Sequence, residues 1–336
     1  MPDRRSWWAL AAGVILAGAL LWWVLHDVKW PDIAAEVWAA NPVLILLAVC
    51  VATATFPLRV VRWRLLLRAE DDSALSFAPL WHAVAIGFMA NNILPFRIGE
   101  LMRTWAASRL TRARFSAALS SVAVERVFDA LTVISMLALG LLFAGLPQGV
   151  ELFDTPVTRL ATASGILVAA ALLAAIAVVS FPLAAERLIR RVIPSEHLAS
   201  RLVSLVEGIR HGLGVLRSPA RVSAVVAWSV IIWLVNALSF WVMLRAFHLP
   251  VGFAGVLLMQ GVLVLGVAAP TTPGYVGVFE AVIKAVLLLF AVTADRAVAY
   301  AVTYHITTFL PIVLLGAWSL MRTSLNFATL RKAPQG

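Results

Sequence analysis

The stretch NNILPFRIGELMR, residues 91–103, interrupts a long apolar run with two amides, a proline, a glycine, an acid and two arginines. Pro95 cannot donate a backbone hydrogen bond and disfavours helix at the residue before it, and Gly99 adds a second weak point. A comparable stretch, PTTPGYVGVFEAVIK, occupies residues 270–284. Each stretch therefore predicts a helix that stops and restarts within an apolar part of the chain.

The composition around these stretches is typical of a membrane protein. Of the 336 residues, 62% are hydrophobic and only 13% are charged, which is too little polar surface for a soluble domain of this size. A hydrocarbon core of about 30 Å needs roughly 20 helical residues. Six apolar runs reach that length: 7–25, 42–61, 116–145, 156–181, 222–244 and 296–321. We therefore predict an all-α polytopic membrane protein, a single integral membrane domain over residues 1–336 with about six full transmembrane helices.

The arginines and lysines indicate which side of the membrane each loop faces. The net charge is +10, but the basic residues lie beside the ends of the apolar runs and form no nucleic-acid-binding module, so we expect no nucleic-acid partner. Arg59, Arg62, Arg64 and Arg68, for example, are assigned to a loop after the second helix. The opposite loops are acidic or nearly neutral. By the positive-inside rule, we expect both termini in the cytoplasm and a location in the bacterial cytoplasmic, or inner, membrane.

Both interruptions are predicted to form re-entrant hairpins. If the apolar run before NNILP simply crossed the membrane, the arginines of residues 97–114 would fall outside and every later loop would invert. We therefore expect residues 77–92 to enter the bilayer and residues 98–110 to return to the same side. In the second half, residues 253–268 are expected to enter the bilayer from the opposite face, and residues 278–292 are expected to return to that face.

Helix, hairpin and helix thus occur twice with opposite orientation, at about residues 42–145 and 222–321. Such an inverted repeat is found in secondary transporters, in which interrupted helices meet near the midplane and form the substrate site. Irregular backbone at that depth requires surrounding protein or a water-filled cavity. Between the repeats, residues 182–218 are predicted to be a cytoplasmic amphipathic connector, which either lies on the anionic leaflet or is simply solvated.

Three ionisable residues fall in the middle of the predicted helix 116–145. Glu125, Arg126 and Asp129 lie about 14 to 20 Å along it, which is midplane depth. Insertion of an Asp or Arg at that depth costs roughly 2.5 to 3.5 kcal/mol, so these side chains must face the protein interior and be paired. Their net charge of minus one leaves an acid to pair with Arg97 or Arg103. The cluster is either a substrate site or a structural ion-pair lock.

The first interruption has the features of an anion site. Arg97, Glu100 and Arg103 are spaced by three, so Glu100 can pair with either arginine and leave the other available. A guanidinium suits phosphate, and the start of the returning helix presents unpaired N–H groups. Alternatively, both arginines are only topology signals at the membrane surface. Asn91 and Asn92 would cap the break or line the cavity.

The second interruption combines turn residues with a possible ion pair. Pro273 stops the entering helix, while Gly274 and Gly277 permit a tight turn and a close backbone approach. Glu280 and Lys284 have the favoured i, i+4 order, so they either serve the site or only neutralise each other.

His305 is a candidate proton carrier, although a histidine at membrane depth is more often a packed, hydrogen-bonded residue. We predict no catalytic residue, no metal site and no cofactor, since the chain has one cysteine and no P-loop motif. The full set of predicted substrate-binding residues is Asn91, Asn92, Pro95, Arg97, Gly99, Glu100, Arg103, Glu125, Arg126, Asp129, Pro273, Gly274, Gly277, Glu280, Lys284 and His305.

The chain resembles the lysylphosphatidylglycerol synthase transmembrane-region family of flippase-like membrane proteins. The likeness rests on NNILPFRIGELMR, on ERVFD at residues 125–129 and on PTTPGYVGVFE at residues 270–280, and it covers nearly the whole chain. It implies movement of lipids with polar or charged headgroups, such as aminoacylated phospholipid or, in relatives, polyprenyl-phosphate-linked sugars and hopanoid-related lipids. Synthase members also carry a soluble aminoacyltransferase domain, which we expect to be absent because the chain ends at Gly336.

The leading hypothesis is an inner-membrane lipid flippase that works by alternating access. Its partners would be membrane lipids with anionic or charged headgroups and, in addition, a lipid-modifying enzyme. Arg97 and Arg126 would bind the phosphate. Glu100, Glu125 and Asp129 would orient it and balance its charge. The alternatives are an intramembrane transferase acting on a lipid-linked substrate, with Glu125 or Asp129 as base, or a non-transporting lipid-binding partner of such an enzyme.

Overall fold

The structure, a computed structural model, describes residues 18–69, 73–94, 98–146, 219–268 and 273–323, with residues 151–152, 155–156, 159, 166, 191 and 325. Much of the predicted span 7–25, and nearly all of the predicted span 156–181 and of the connector 182–218, lie outside the described residues. Pro95 and Arg97 of the first interruption lie outside them as well.

Helices account for most of the described residues. They are α1 (18–25), α2 (Trp30–Ala39), α3 (Pro42–Leu66), α4 (Phe77–Ile93), α5 (Gly99–Leu110), α6 (Phe115–Phe143), α7 (Pro219–Ala246), α8 (Phe253–Ala268), α9 (Val278–Leu288) and α10 (Ala294–Arg322). A two-residue antiparallel pair, β1 (Glu151–Leu152) and β2 (Thr155–Pro156), follows α6, and a short 3₁₀ turn, Pro273–Tyr275, precedes α9.

Four of the described helices, α3, α6, α7 and α10, are long and apolar enough to cross a membrane. They coincide with the predicted spans 42–61, 116–145, 222–244 and 296–321. This agreement confirms a helical, polytopic membrane fold. The total of six spans and the re-entrant insertion of the hairpins stay predictions.

Each predicted interruption separates two helices that pack against each other. A side chain on Gly99 of α5 would collide with the carbonyl oxygen of Gly87 on α4, so only glycine permits this approach. In the second half, a Cβ on Gly266 of α8 would lie 2.9 Å from Val282 of α9. The helix α9 ends at Leu288, earlier than predicted, where the chain turns through Ala291 at a left-handed φ of +56°.

The two halves of the molecule are joined by reciprocal packing. The helices α3 and α7 lie along each other, and the first short helix of each half packs on the last long helix of the other half, α4 on α10 and α8 on α6. Gly140 of α6 and Gly316 of α10 allow this contact. A Cβ at Gly140 would lie 2.7 Å from Leu258 Cα, and one at Gly316 would lie 2.8 Å from the Ala85 carbonyl oxygen. Each half therefore holds the first short helix of the other.

The helix α2 was not predicted, because its acidic residues were assigned to a loop. It buries Ile33 and leaves Trp38 90% exposed and Trp30 64% exposed. Exposed tryptophans on one short amphipathic helix are typical of an anchor at the membrane interface.

Replacing Gly140 by alanine is expected to lower the free energy of unfolding by about 1–3 kcal/mol, because the added methyl group meets the α8 backbone and forces it away. The measurement is the thermal unfolding midpoint of the purified protein in detergent. Gly252→Ala is the matched control, since a Cβ there has nothing within 4 Å. Equal unfolding midpoints for the two variants would contradict the close approach of α6 and α8.

Candidate functional site

A partly open cavity of about 520 Å³ lies where α4, α5, α6, α8 and α10 meet. Its charged and polar lining consists of Arg59, Asn91, Asn92, Glu100, Arg103, Arg126, Asp129, His305 and Thr308. Most of the remaining lining is apolar or aromatic. A second cavity of about 220 Å³ shares Arg59, Phe88 and Phe279 with the first. The volume and the mixed lining are those of a small-molecule or lipid-headgroup pocket.

A network of buried ion pairs forms one wall of this cavity. Arg62 of α3 lies 2.5 Å from an oxygen of Asp129 and 3.1 Å from Glu125, and it also donates to the Ser229 hydroxyl at 2.8 Å. Arg103 of α5 makes a two-pronged contact with Glu125, at 2.8 and 3.0 Å. The network therefore ties α3 and α5 to the two acids of α6, and through Ser229 it reaches α7.

Arg126 lies at the edge of this network and faces the cavity. Its guanidinium is 2.7 Å from Glu125, 3.0 Å from Asp129 and 3.8 Å from Glu100. The side chain is 34% exposed, in contrast to the buried Arg103. Arg126 is thus both part of the ion network and accessible to a ligand, so the two sequence-based alternatives for this cluster are not mutually exclusive.

Charge in the described part of the network is balanced. Three guanidinium groups, Arg62, Arg103 and Arg126, face three carboxylates, Glu100, Glu125 and Asp129. Buried charges that lack partners cost several kcal/mol each, which explains why the acids predicted at midplane depth are paired. The ion pair between Arg103 and Glu125 also confirms that an acid of α6 pairs with an arginine of the first hairpin. Because Arg103 is buried in this pair, it is not a topology signal at the membrane surface.

Arg59 is the cation that the sequence analysis missed. The assignment of Arg59 and Arg62 to a loop was wrong, because α3 continues to Leu66 and both side chains are buried. The Arg59 guanidinium lies over the rings of Phe88 and Trp233, 5.0 and 5.6 Å from their centroids, where it is held by cation–π attraction. Among the described residues, no carboxylate lies within ion-pair distance of it.

A signal for these two arginines is present in the sequence. Arg59 and Arg62 are three residues apart, so they share one face if the helix of the preceding apolar run continues through them. Counting them only as topology signals concealed this periodicity.

The described residues that flank the two interruptions lie close together inside the protein. Asn91 accepts a hydrogen bond from the Gly99 N–H at 2.8 Å, which caps the start of α5 as predicted. Gly274 of the second interruption has a left-handed φ of +66°, and a Cβ there would lie 3.3 Å from the Asn92 carbonyl oxygen. The 3₁₀ turn of the second break therefore packs close to the end of α4, after which the first break begins.

At the second interruption, Glu280 and His305 form a buried contact. The Glu280 carboxylate accepts the Gly277 N–H at 2.7 Å and lies 2.5 Å from His305 Nδ1. The other ring nitrogen of His305 is 2.8 Å from the Gly274 carbonyl oxygen. A proposed Glu280 partner, Lys284, is engaged elsewhere.

Lys284 belongs to a separate contact outside the cavity. Its ammonium lies 2.5 Å from Asp27 and donates to the Val24 carbonyl at 2.9 Å. The hydrogen bond from Lys284 holds the pKa of the Asp27 carboxyl below its usual value. The predicted alternative of a Glu280 and Lys284 pair is therefore wrong, and Lys284 ties α9 to the end of α1.

Half of the predicted site residues line the cavity. They are Asn91, Asn92, Gly99, Glu100, Arg103, Arg126, Asp129 and His305. Glu125 lies behind them, whereas Gly274, Gly277 and Glu280 form the adjoining second break. Pro273 begins the 3₁₀ turn. Within the described ranges, no three His, Cys, Asp or Glu side chains are grouped to hold a metal ion.

These features define a class of molecule: a helical membrane protein with a charged internal cavity at the meeting point of two broken helix pairs. The chain belongs to the family described as lysylphosphatidylglycerol synthase TM region, which it matches over residues 10–316. The resemblance inferred from its motifs is thereby confirmed.

Two relatives extend this comparison. Glycosyltransferase AglD of Haloferax volcanii is 25% identical over 97% of this chain, which spans 58% of AglD. A UPF0104 membrane protein of Methanothermobacter thermautotrophicus is 23% identical over 94% of this chain and 93% of its own length. The likeness to the second protein therefore extends over nearly the whole of both chains.

Replacing Arg62 by methionine is expected to destabilise the fold by about 3–5 kcal/mol, because Glu125 and Asp129 would lose their shared buried partner. The measurement is folded yield together with the thermal unfolding midpoint in detergent. Arg109→Met is the control, since Arg109 is an exposed arginine at the end of α5. If both variants were equally stable, the network would not be structural.

Proposed function

We propose that this protein is a lipid flippase that moves an anionic or charged-headgroup lipid between the leaflets of the cytoplasmic membrane. The headgroup would enter the cavity between the two broken helix pairs. Candidate substrates are a phospholipid, a polyprenyl-phosphate-linked lipid and a hopanoid-related lipid. Membership of a family named for a lipid-synthase membrane region supports a lipid as the substrate class.

The observation that carries this proposal is the buried guanidinium of Arg59. The ion network is neutral in the described residues, so Arg59 adds one positive charge that no described carboxylate balances. Leaving a buried cation in an apolar wall is costly, and an anionic ligand removes that cost. A phosphate matches both the single charge and the forked donors of a guanidinium.

The other charged residues receive roles that follow from their exposure. Arg126 presents its accessible edge to the cavity and would form the second contact to the phosphate, as Arg97 would from the first interruption. Glu100, at the cavity edge, would orient a cationic part of the headgroup. Glu125 and Asp129 would hold the guanidinium groups in place without contacting the lipid.

Alternating access would arise from the reciprocal packing of the halves. We propose that the two halves are inverted repeats, that their broken helix pairs are re-entrant from opposite faces, and that both termini are cytoplasmic. Each half contributes one interruption to the cavity, so a rocking motion of one half against the other would expose the cavity to each leaflet in turn. The contact between Gly274 and Asn92 would be the closed seam.

The second candidate function is a role in lipid-linked sugar transfer. It is favoured by the name of AglD, a glycosyltransferase that is similar over nearly all of this chain. In this alternative, the membrane region would act as a transferase with Glu125 or Asp129 as base, or would only hold the lipid for a partner enzyme. The engagement of Asp129 by Arg62 and by the Trp233 indole N–H at 2.9 Å argues against a role as base, because an acid held in this way is a poor proton acceptor.

Reconstitution in liposomes separates these functions. The purified protein would be tested with fluorescent phospholipids and a polyprenyl phosphate, with leaflet exchange followed by quenching of the outer-leaflet label. A flippase exchanges at least one of these lipids faster than empty vesicles do. A transferase supplied with a sugar donor yields a new lipid species, and a binding partner retains lipid without exchange or reaction.

Replacing Arg59 by glutamine is expected to slow leaflet exchange by about tenfold or more, because a hydrogen bond to a charged group contributes about 1.5–3 kcal/mol. Folded yield should stay close to that of the unaltered protein, since Arg59 has no described ion-pair partner. Arg245→Gln is the matched control. Arg245 also stacks on an indole, that of Trp241, but lies outside the cavity. Unchanged exchange in Arg59→Gln would remove the main support for the proposal.

A further inference from the structure

His305 faces a hydrogen-bond acceptor at each of its ring nitrogens. Nε2 lies 2.8 Å from the Gly274 carbonyl oxygen, and Nδ1 lies 2.5 Å from a Glu280 carboxylate oxygen. A backbone carbonyl only accepts, so Nε2 must carry a hydrogen. A neutral imidazole would then present the lone pair of Nδ1 to the carboxylate, which is repulsive when the carboxylate is ionised. One additional proton must therefore lie between Nδ1 and the Glu280 oxygen.

The first half of the chain has a contact that corresponds to the pair of Glu280 and His305, and a comparison of the two shows what the additional proton does. There, Arg103 on the second short helix α5 bonds to Glu125 on the following long helix α6. In the second half, Glu280 on α9 bonds to His305 on the following long helix α10. Both contacts fasten a second short helix to the next long helix with an acid and a base. Arginine keeps its charge at any physiological pH, whereas histidine does not.

Loss of the proton would act directly on the second interruption. Glu280 also accepts the Gly277 N–H, and His305 also donates to the Gly274 carbonyl. The same pair thus holds both glycines of the break, and Gly274 lies close to Asn92 in the last turn of α4. Repulsion between a deprotonated Nδ1 and the Glu280 carboxylate would loosen this seam.

The surroundings of the pair leave it in contact with the cavity. The Phe279 ring stacks on the imidazole at 4.3 Å, and Phe309 meets it edge-on at 6.1 Å. The His305 side chain is 11% exposed and lines the cavity, which gives its proton a route to cavity water.

Several described charged groups share a cavity with His305. They are Arg59 of α3, Glu100 and Arg103 of α5, and Arg126 and Asp129 of α6. The adjacent part of α4 contributes the uncharged Asn91 and Asn92, and α9 contributes Glu280 itself. The helix α2 meets α10 through the ion pair of Glu36 with Arg296, nine residues before His305.

We propose that Glu280 and His305 form a proton-binding site that couples lipid movement to a proton gradient. The proton shared by the two side chains holds the seam between the interruptions closed, and its release to cavity water opens the seam. The coupling part of this proposal rests on the proposed flippase function. The proton-binding part does not depend on it.

The coupling is tested in the liposomes described above, with a pH difference of about one unit across the membrane. If one proton moves with each lipid, the labelled lipid should accumulate in one leaflet by up to about tenfold, and a protonophore should abolish the accumulation. His305→Gln and Glu280→Gln should show no accumulation. His82 lies on the far part of α4, beside Trp318 of α10. The His82→Gln variant should accumulate lipid like the unaltered protein. If the unaltered protein exchanges lipid between leaflets but does not respond to the pH difference, the proposed coupling is overturned.

The proton site has a separate readout that does not need transport. Nitrogen NMR of histidine-labelled protein gives the protonation state of both ring nitrogens, and the His305 signal is assigned by its loss in His305→Gln. Infrared spectroscopy detects a protonated carboxyl, assigned by its loss in Glu280→Gln. We expect either a doubly protonated His305 or a protonated Glu280 at neutral pH. A neutral imidazole beside an ionised Glu280 overturns the site, even if lipids move. If no lipid moves, the flippase proposal and the coupling both fail, and these spectra alone decide the proton site.

Discussion

The fold depends on pairing charges that are buried inside the protein. Glu125 and Asp129 are almost completely buried on α6, and each needs a cation within hydrogen-bonding distance. Arg62 and Arg103 supply these cations from α3 and α5. Because one carboxylate left alone would cost several kcal/mol, the three helices have little freedom to separate. The long helix α3 and the first hairpin are thereby fixed against α6, and the cavity is formed on the accessible side of this network.

The fold has a second requirement, which is close contact between helices at glycine residues. In a membrane, helices gain little from burying apolar side chains, so packing at short range carries much of the association. Gly140 and Gly316 provide such contacts at equivalent places, one for each short helix that packs on the opposite half. Because both contacts join the halves, they also set how far apart the two interruptions lie. The irregular backbone of Gly274 is consequently surrounded by protein rather than by lipid, as its exposed peptide groups require.

Much of the fold follows from the sequence because strong, local signals agree. Proline and glycine mark both interruptions, and the observed helices α4, α5 and α8 begin and end within one residue of their predicted limits. The helix α2 was missed because a short surface helix has little apolar length to distinguish it from a loop. Charge balance predicts that an acid of α6 pairs with Arg97 or Arg103, and the structure shows Arg103 with Glu125. The partner of Lys284 does not follow from the sequence. Lys284 and Asp27 are distant in the chain, and only the packing of α1 on α9 brings them together.

The arginines of α3 show a limit of the positive-inside rule, which only counts basic residues. Positive residues near the end of an apolar run indicate the cytoplasmic side whether they lie in water or turn inwards. Arg64 and Arg68 are compatible with a position in water, but Arg59 and Arg62 are buried. Their orientation is determined by which neighbours they meet, namely the acids of α6 for Arg62 and the rings of Phe88 and Trp233 for Arg59. The spacing of Arg59 and Arg62 places both on one face of α3, but α3 alone does not show which neighbours that face meets.

The order of the ion network along the chain has a consequence for biogenesis. A nascent α6 carries Glu125, Arg126 and Asp129, and its transfer from the translocon into lipid is correspondingly unfavourable. Arg62 and Arg103 precede these residues in the sequence, so both cations have already been synthesised when α6 leaves the ribosome. The later helix α7 supplies only neutral contacts, from Ser229 and Trp233. Membrane integration of α6 is therefore assisted by helices made before it, and the first half of the chain can assemble its charged centre before the second half is translated.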